Sequence, residues 1–165
     1  MRDPLAVYLH GHLAGSKFAM ELLEKLASEF AGVNTGDVAR ELLEQVRPDR
    51  KALEQLIGHV GEENLDFSDA LGWIGERVSR MKPKHDDPGG IGAFQAFETI
   101  GLGIMGKRAL WETLRIRQNS DIRVAGFDYD ALIQRADEQF QRANQCRLEL
   151  SESALDRKES SFSKP

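Results

Sequence analysis

Histidine, cysteine and carboxylate side chains are the residues of this 165-residue chain that could bind a metal or perform catalysis. The four histidines are His10, His12, His59 and His85, and Cys146 is the only cysteine. His10 and His12 lie two positions apart, so on a helix they point in nearly opposite directions and chelate one ion poorly. A single cysteine excludes an internal disulfide and cysteine-rich zinc motifs. No Ser-His-Asp arrangement, P-loop or dinucleotide-binding fingerprint is present, and Cys146 is interpreted as an inert core thiol.

A second group consists of polar residues that fall on otherwise apolar helical stripes. These residues are His12, Ser16, Asp49, Arg108 and Gln139. A charge inside a helical bundle is costly unless it is paired, so we predict that Asp49 and Arg108 face each other or reach water. One interpretation is a small polar pocket that binds a ligand, and the other is a structural ion pair that fixes helix register. A stripe displaced by one position would instead place Arg108 at the rim of the bundle.

Long amphipathic helices must hold these side chains. Apolar residues recur at alternating spacings of three and four, which is typical of helices packed in a bundle. The pattern predicts helices over residues 4–32, 91–114 and 128–155, and another that follows a turn at residues 34–37 and ends near Gly61. Pro48 lies inside this second helix and is expected to kink or split it.

Two further segments lie between the second and third long helices. Residues 68–81 have the pattern of a shorter helix, and residues 82–90, KPKHDDPGG, carry the strongest loop signal in the chain. No segment shows the period-two alternation of a strand. The chain is therefore predicted to be all-α, with a single bundle domain over residues 1–155 and a disordered tail over residues 156–165.

The helix over residues 91–114 is rich in glycine. Phe94, Phe97 and Trp111 are expected to supply most of its buried surface. Gly101, Gly103 and Gly106 lie within six positions, and each costs about 1 kcal/mol relative to alanine in a helix. Three such residues indicate either close helix–helix contact or a ligand pocket.

Charge and hydropathy restrict the partners. The net charge of −5 gives no overall basic footprint for nucleic acid. No segment has the length and apolar character of a signal peptide or a membrane span. We therefore predict a cytoplasmic protein that binds neither nucleic acid nor membrane.

The chain resembles the ferritin-like superfamily, in particular its small bacterial stress-associated bundles. The resemblance covers most of the chain. It depends on the helix order, on YLHGHLAGSKFAMELLEKL in the first helix and on Leu110-Trp111 in the third. It implies a four-helix bundle with one long crossing connection that contains the extra short helix. In members that bind metal, two iron or manganese ions are held by glutamates and Glu-x-x-His pairs.

The ligand pattern of that superfamily is missing. No histidine has an acidic residue three positions before it, and Ser16 stands where a first-helix glutamate is expected. Glu44 and Glu98 have no histidine three residues on. We therefore predict no bound metal and no cofactor. The expected function is that of a non-catalytic, stress-related module that forms a homo-oligomer, such as a dimer, or binds an unknown protein partner. The alternative is an enzyme or binding protein that uses the polar core for a small ligand or a metal.

Overall fold

The computed structural model describes residues 2–61 and 91–156. Four α-helices account for most of them: α1 (Pro4–Glu29), α2 (Asn34–Val60), α3 (Ile91–Arg117) and α4 (Tyr129–Ala154). A 3₁₀ helix at Ile122–Val124 lies in the connection between α3 and α4. The all-helical prediction is confirmed for the described residues, which contain no strand. The predicted short helix at residues 68–81, the loop at 82–90 and residues 157–165 of the predicted tail lie outside them.

The helices run in an up, down, down, up order. One apolar cluster joins the end of α1, the start of α2, the start of α3 and the end of α4. A second cluster joins the opposite ends of the same four helices. Helix α2 therefore ends at one end of the bundle and α3 begins at the other. Since 27 residues of helix span about 40 Å, the chain must traverse that length between them.

Two hairpins make up this arrangement. Helix α1 packs mainly against α2, and α3 packs mainly against α4. The pairs α1–α3 and α2–α4 share far fewer contacts. The bundle is therefore two tight helical hairpins that meet across a looser interface.

Local capping explains most helix boundaries. The Asp3 carboxylate accepts a hydrogen bond from the Leu5 amide at 2.9 Å, ahead of Pro4 in the first turn. The Asp128 carboxylate likewise accepts from the Ala131 amide at 3.0 Å. The predicted starts of α1 and α4 agree with these caps to within a residue.

The start of α2 differs from the prediction. Residues 34–37 were expected to form a turn, but the helix already begins at Asn34, after Val33, which makes no side-chain cap. Gly36 explains why the chain can turn so tightly here. A Cβ atom at this position would lie 2.1 Å from the Phe30 backbone oxygen. Only glycine tolerates this approach of α1 to α2.

Pro48 does not split α2. The helix is continuous from Asn34 to Val60, with exposed Pro48 inside it and buried Asp49 immediately after it. Asp49, the residue after the proline, therefore faces the hairpin formed by α3 and α4. None of the described helices combines the length and the apolar run needed to cross a membrane.

Candidate functional site

A cleft of about 420 Å³ lies between α1 and α3, where the two hairpins pack loosely. This volume is within the range of roughly 300–1,000 Å³ that is usual for small-molecule sites. Its walls are largely apolar and come mainly from Phe18, Met20, Leu53, Ile104, Leu110 and Trp111. The polar atoms of the lining belong to His12, Ser16, Asp49, Arg50, Thr99 and Lys107. The cleft therefore combines an apolar surface with a small set of polar groups.

Glycines keep this cleft open. Gly11 and Gly15 line it from α1, and Gly103 and Gly106 line it from α3. A Cβ atom built on any of the four would meet no described atom within 4 Å. A Cβ atom on Gly101, by contrast, would lie 3.5 Å from the Phe140 ring of α4, which is an ordinary van der Waals contact. Gly101 thus faces another helix without a contact that requires glycine, whereas Gly103 and Gly106 border open space among the described residues.

Asp49 is the centre of a polar layer at one side of the cleft. Its side chain is 1% exposed, and its Oδ2 lies 2.5 Å from the Nζ of Lys107. The same oxygen accepts a hydrogen bond from Nε2 of Gln139 at 3.0 Å. Lys107 also donates to Oε1 of Gln139, and Nε2 of Gln139 reaches the Gln45 backbone oxygen at 3.3 Å. These contacts join α2, α3 and α4 between the two apolar clusters.

Arg135 adds a second cation to this layer. Its Nε lies 2.7 Å from Oδ1 of Asp49. The two atoms are close but not aligned as a hydrogen bond, and neither has a hydrogen-bond partner among the described residues. The contact is therefore an ion pair without a directional bond. One buried carboxylate faces two cations, so the layer carries excess positive charge.

The surroundings of Lys107 have opposite effects on its charged form. Burial lowers the pKa of its ammonium group, whereas the charge of Asp49 and its hydrogen bond to Lys107 raise it. Burial has the larger effect. The side chain is 17% exposed, and the residue lines the cleft.

Arg108 does not pair with Asp49, and the predicted pairing is wrong. Its Nε lies 2.6 Å from Oδ1 of Asp137, and its Nη1 lies 2.7 Å from Oε1 of Glu112. The hydrogen bond that Arg108 donates to Asp137 is the main reason why the pKa of Arg108 is raised. Its side chain is 29% exposed and lies at the rim of the bundle. The apolar stripe of α3 is displaced by one position, and Lys107 takes the core place predicted for Arg108.

His12 and Ser16 line the cleft but do not join the polar layer in any contact among the described residues. Burial lowers the pKa of His12, which favours its neutral form, and its ring meets Tyr8 edge-on at 4.8 Å between centroids. The Ser16 hydroxyl donates to the Leu13 backbone oxygen at 2.8 Å. It also accepts a long contact of 3.4 Å from Nη1 of Arg50. Of the five predicted polar residues, the structure joins only Asp49 and Gln139 directly.

Lys107 and Arg135 are the residues that sequence reasoning missed. Lys107 occupies a three-and-four stripe of its own with Ile100, Ile104, Trp111 and Leu114, and this signal was available. Arg135 is half-buried and flanks the α4 stripe at Ala136, and nothing in the sequence pattern distinguishes it from other surface arginines.

Placement and burial determine what the metal-binding and nucleophilic groups of the described residues can do. No cluster of three histidine, cysteine, aspartate or glutamate side chains is placed to hold a metal within residues 2–61 and 91–156. Burial raises the pKa of the Cys146 thiol to about 11, which disfavours the nucleophilic thiolate. No known protein family, curated protein or solved structure gives a significant match to this chain.

Proposed function

We propose that this protein is a ferritin-like bundle without dinuclear metal chemistry, and that it binds a small, mainly apolar molecule between α1 and α3. One observation carries the proposal: a cleft of about 420 Å³ that is walled by apolar side chains and bordered by four glycines with open space before them. Sites of this kind, with few polar groups in an apolar lining, are typical of small-molecule binding. The helix order and the crossing between α2 and α3 support the ferritin-like relationship.

Trp111 offers a direct readout because it is buried and lines the cleft. The chain has one other tryptophan, Trp73, and the Trp73→Phe variant makes the emission specific to Trp111. We expect straight-chain alcohols from hexanol to decanol to change this emission saturably. Each added methylene should tighten the Kd by up to about four-fold, because burying one contributes ~0.8 kcal/mol.

Variants that fill the cleft provide the control. Gly15→Leu and Gly106→Leu place a side chain in the open space and should abolish saturable binding. Ala109→Leu adds similar bulk to the exposed side of α3, outside the cleft lining, and should leave binding unchanged. Alcohol binding that is the same in Gly15→Leu, Gly106→Leu and Ala109→Leu would contradict the proposal.

Self-association is the second candidate, and exposed apolar residues of α3 favour it. Leu102 and Ile116 are 75% and 72% exposed, and half-exposed Met105 lies between them. Apolar side chains on one exposed helix face are a usual interface feature. Sedimentation of Ile116→Glu against the unmodified chain tests this candidate, because Ile116 lies outside the cleft lining. A dimer that dissociates in the variant supports it, and a monomer in both excludes it.

A further inference from the structure

The charges around the cleft do not balance. Lys107 and Arg135 share the single carboxylate of Asp49, and Arg50 pairs with Glu54 at 2.8 Å. Three cations thus face two carboxylates, and one positive charge remains within this group. His12 is not counted as a further cation, because burial lowers its pKa and favours the neutral ring. Of these groups, Lys107, Arg50 and Asp49 line the cleft, so its lining holds two cations and one carboxylate.

Lys107 belongs to the cleft lining, and its described hydrogen bonds do not use all of its donors. An ammonium group has three hydrogens to donate, and the described partners of Nζ are two, Asp49 and Gln139. Arg50 also lines the cleft, with Nη1 near the Ser16 hydroxyl. A positive ligand would therefore meet two cations, whereas a negative group would complete the pairing.

We propose that the ligand is an aliphatic carboxylate, with its tail against the apolar walls and its carboxylate at Lys107. This inference rests on the proposed function of the cleft and adds the chemical class of the ligand. The carboxylate would accept a charge-assisted hydrogen bond from Nζ and bring the local charge to zero. A neutral alcohol fills the same walls without that neutralisation, and so it binds more weakly.

The experiment compares three ligands with one tail. Decanoate, decanol and decyltrimethylammonium are titrated into the full-length Trp73→Phe chain at neutral pH, with Trp111 emission as the readout. We expect decanoate to bind at least about ten-fold more tightly than decanol, as one charge-assisted hydrogen bond allows. We expect no saturable binding of the cation. Equal binding of decanoate and decanol would overturn this inference and leave the proposed function standing, whereas no binding of either would overturn both.

A pair of variants tests the role of Lys107. Lys107→Met should reduce decanoate binding to the level of decanol, with decanol affected by less than about two-fold, since its contacts are apolar. Arg108→Met removes the adjacent cation, which lies outside the cleft lining, and should preserve the preference for the acid. An unchanged preference in Lys107→Met would overturn the assignment of the carboxylate to Lys107. If Lys107→Met does not fold, the comparison of the three ligands still decides the ligand class.

Discussion

Replacing either member of the Asp49–Lys107 pair should destabilise the protein strongly. Asp49→Ala leaves the ammonium of Lys107 and the guanidinium of Arg135 without a carboxylate. Because Asp49 is 1% exposed and Lys107 17% exposed, water does not replace the lost partner easily. Breaking such a pair costs about 3–5 kcal/mol. We expect the loss for Lys107→Met to lie at the lower end of this range, because methionine preserves the packing of the lysine stem and Asp49 still pairs with Arg135.

Replacing both residues should cost much less than the two single changes together. The variant Asp49→Leu with Lys107→Met leaves no unpaired charge between these two positions. Arg135 is 39% exposed and can turn to water. Gln139 retains its bond to the Gln45 backbone oxygen. We expect a total loss below about 2 kcal/mol and a coupling energy of at least ~2 kcal/mol.

Urea unfolding followed by circular dichroism measures these losses through linear extrapolation. Arg108→Met is the matched control, because it removes a neighbouring cation of the same helix. Its pairs with Asp137 and Glu112 lie at the surface, where ion pairs contribute about 0–1 kcal/mol. Additive single losses, or a loss for Arg108→Met as large as that for Lys107→Met, would refute the assignment of the core pair.

Five further outcomes follow from local geometry. Gly103→Ala should stabilise the protein by up to about 1 kcal/mol in thermal unfolding, since its Cβ meets open space in a helix. Gly36→Ala should destabilise it by about 1–3 kcal/mol, because its Cβ would collide with backbone. Cys146 should react with a disulfide reagent at neutral pH only on unfolding, and a fast reaction of native protein would contradict the raised pKa of about 11. The hydrogen bond from Arg123 lowers the pKa of Asp121 from 3.8 to about 2. The contribution of the Asp121 carboxylate to folding stability is therefore complete above pH 4 and is lost as pH falls toward 2. Unfolding midpoints of Asp121→Asn measured across this window should depend less on pH than those of the unmodified chain. Elemental analysis after iron loading should find no stoichiometric metal, because two cations occupy the only carboxylate of the described core layer.

Much of the fold could be predicted because helical spacing is a strong signal where a stripe is unambiguous. Six residues of α4 that alternate in spacing between four and three are all buried, namely Leu132, Ala136, Gln139, Ala143, Cys146 and Leu150. The positions of Gln139 on this stripe and of Asp49 on α2 indicated where along the bundle the polar layer lies. Both predictions depended only on the period of a helix.

Helix α3 shows where this signal becomes ambiguous. Phe97, Ile104 and Trp111 belong to two stripes that alternate three and four. One stripe continues through Phe94, Gly101 and Arg108, and the other through Ala93, Ile100, Lys107 and Leu114. The first stripe begins with Phe94, a larger apolar side chain than Ala93 at the start of the second stripe. In the structure, however, Ala93 is fully buried and Phe94 only partly. Tertiary packing buries the second stripe. Because the two stripes differ by one position, Lys107 and not Arg108 lies in the core.

The cleft was harder to predict than the helices around it. Glycine in a helix indicates that space is needed, but one sequence cannot show whether another helix or a ligand takes that space. Gly101 and Gly103 are two positions apart on α3 and have opposite surroundings, one against the Phe140 ring and one against open space. The distance between α1 and α3 decides this, and that distance depends on both hairpins.

The two-hairpin construction makes the molecule a candidate for fragment complementation. Each hairpin is continuous in sequence, and the two hairpins are joined once along the chain, between Val60 and Ile91. A break in this segment would turn an intramolecular docking into the association of two chains. Stability would then depend on concentration, since the two hairpins would no longer be held together by the chain. The charges would be divided as well, with Asp49 on one fragment and Lys107 and Arg135 on the other, so that the fragments would recognise each other by opposite charge.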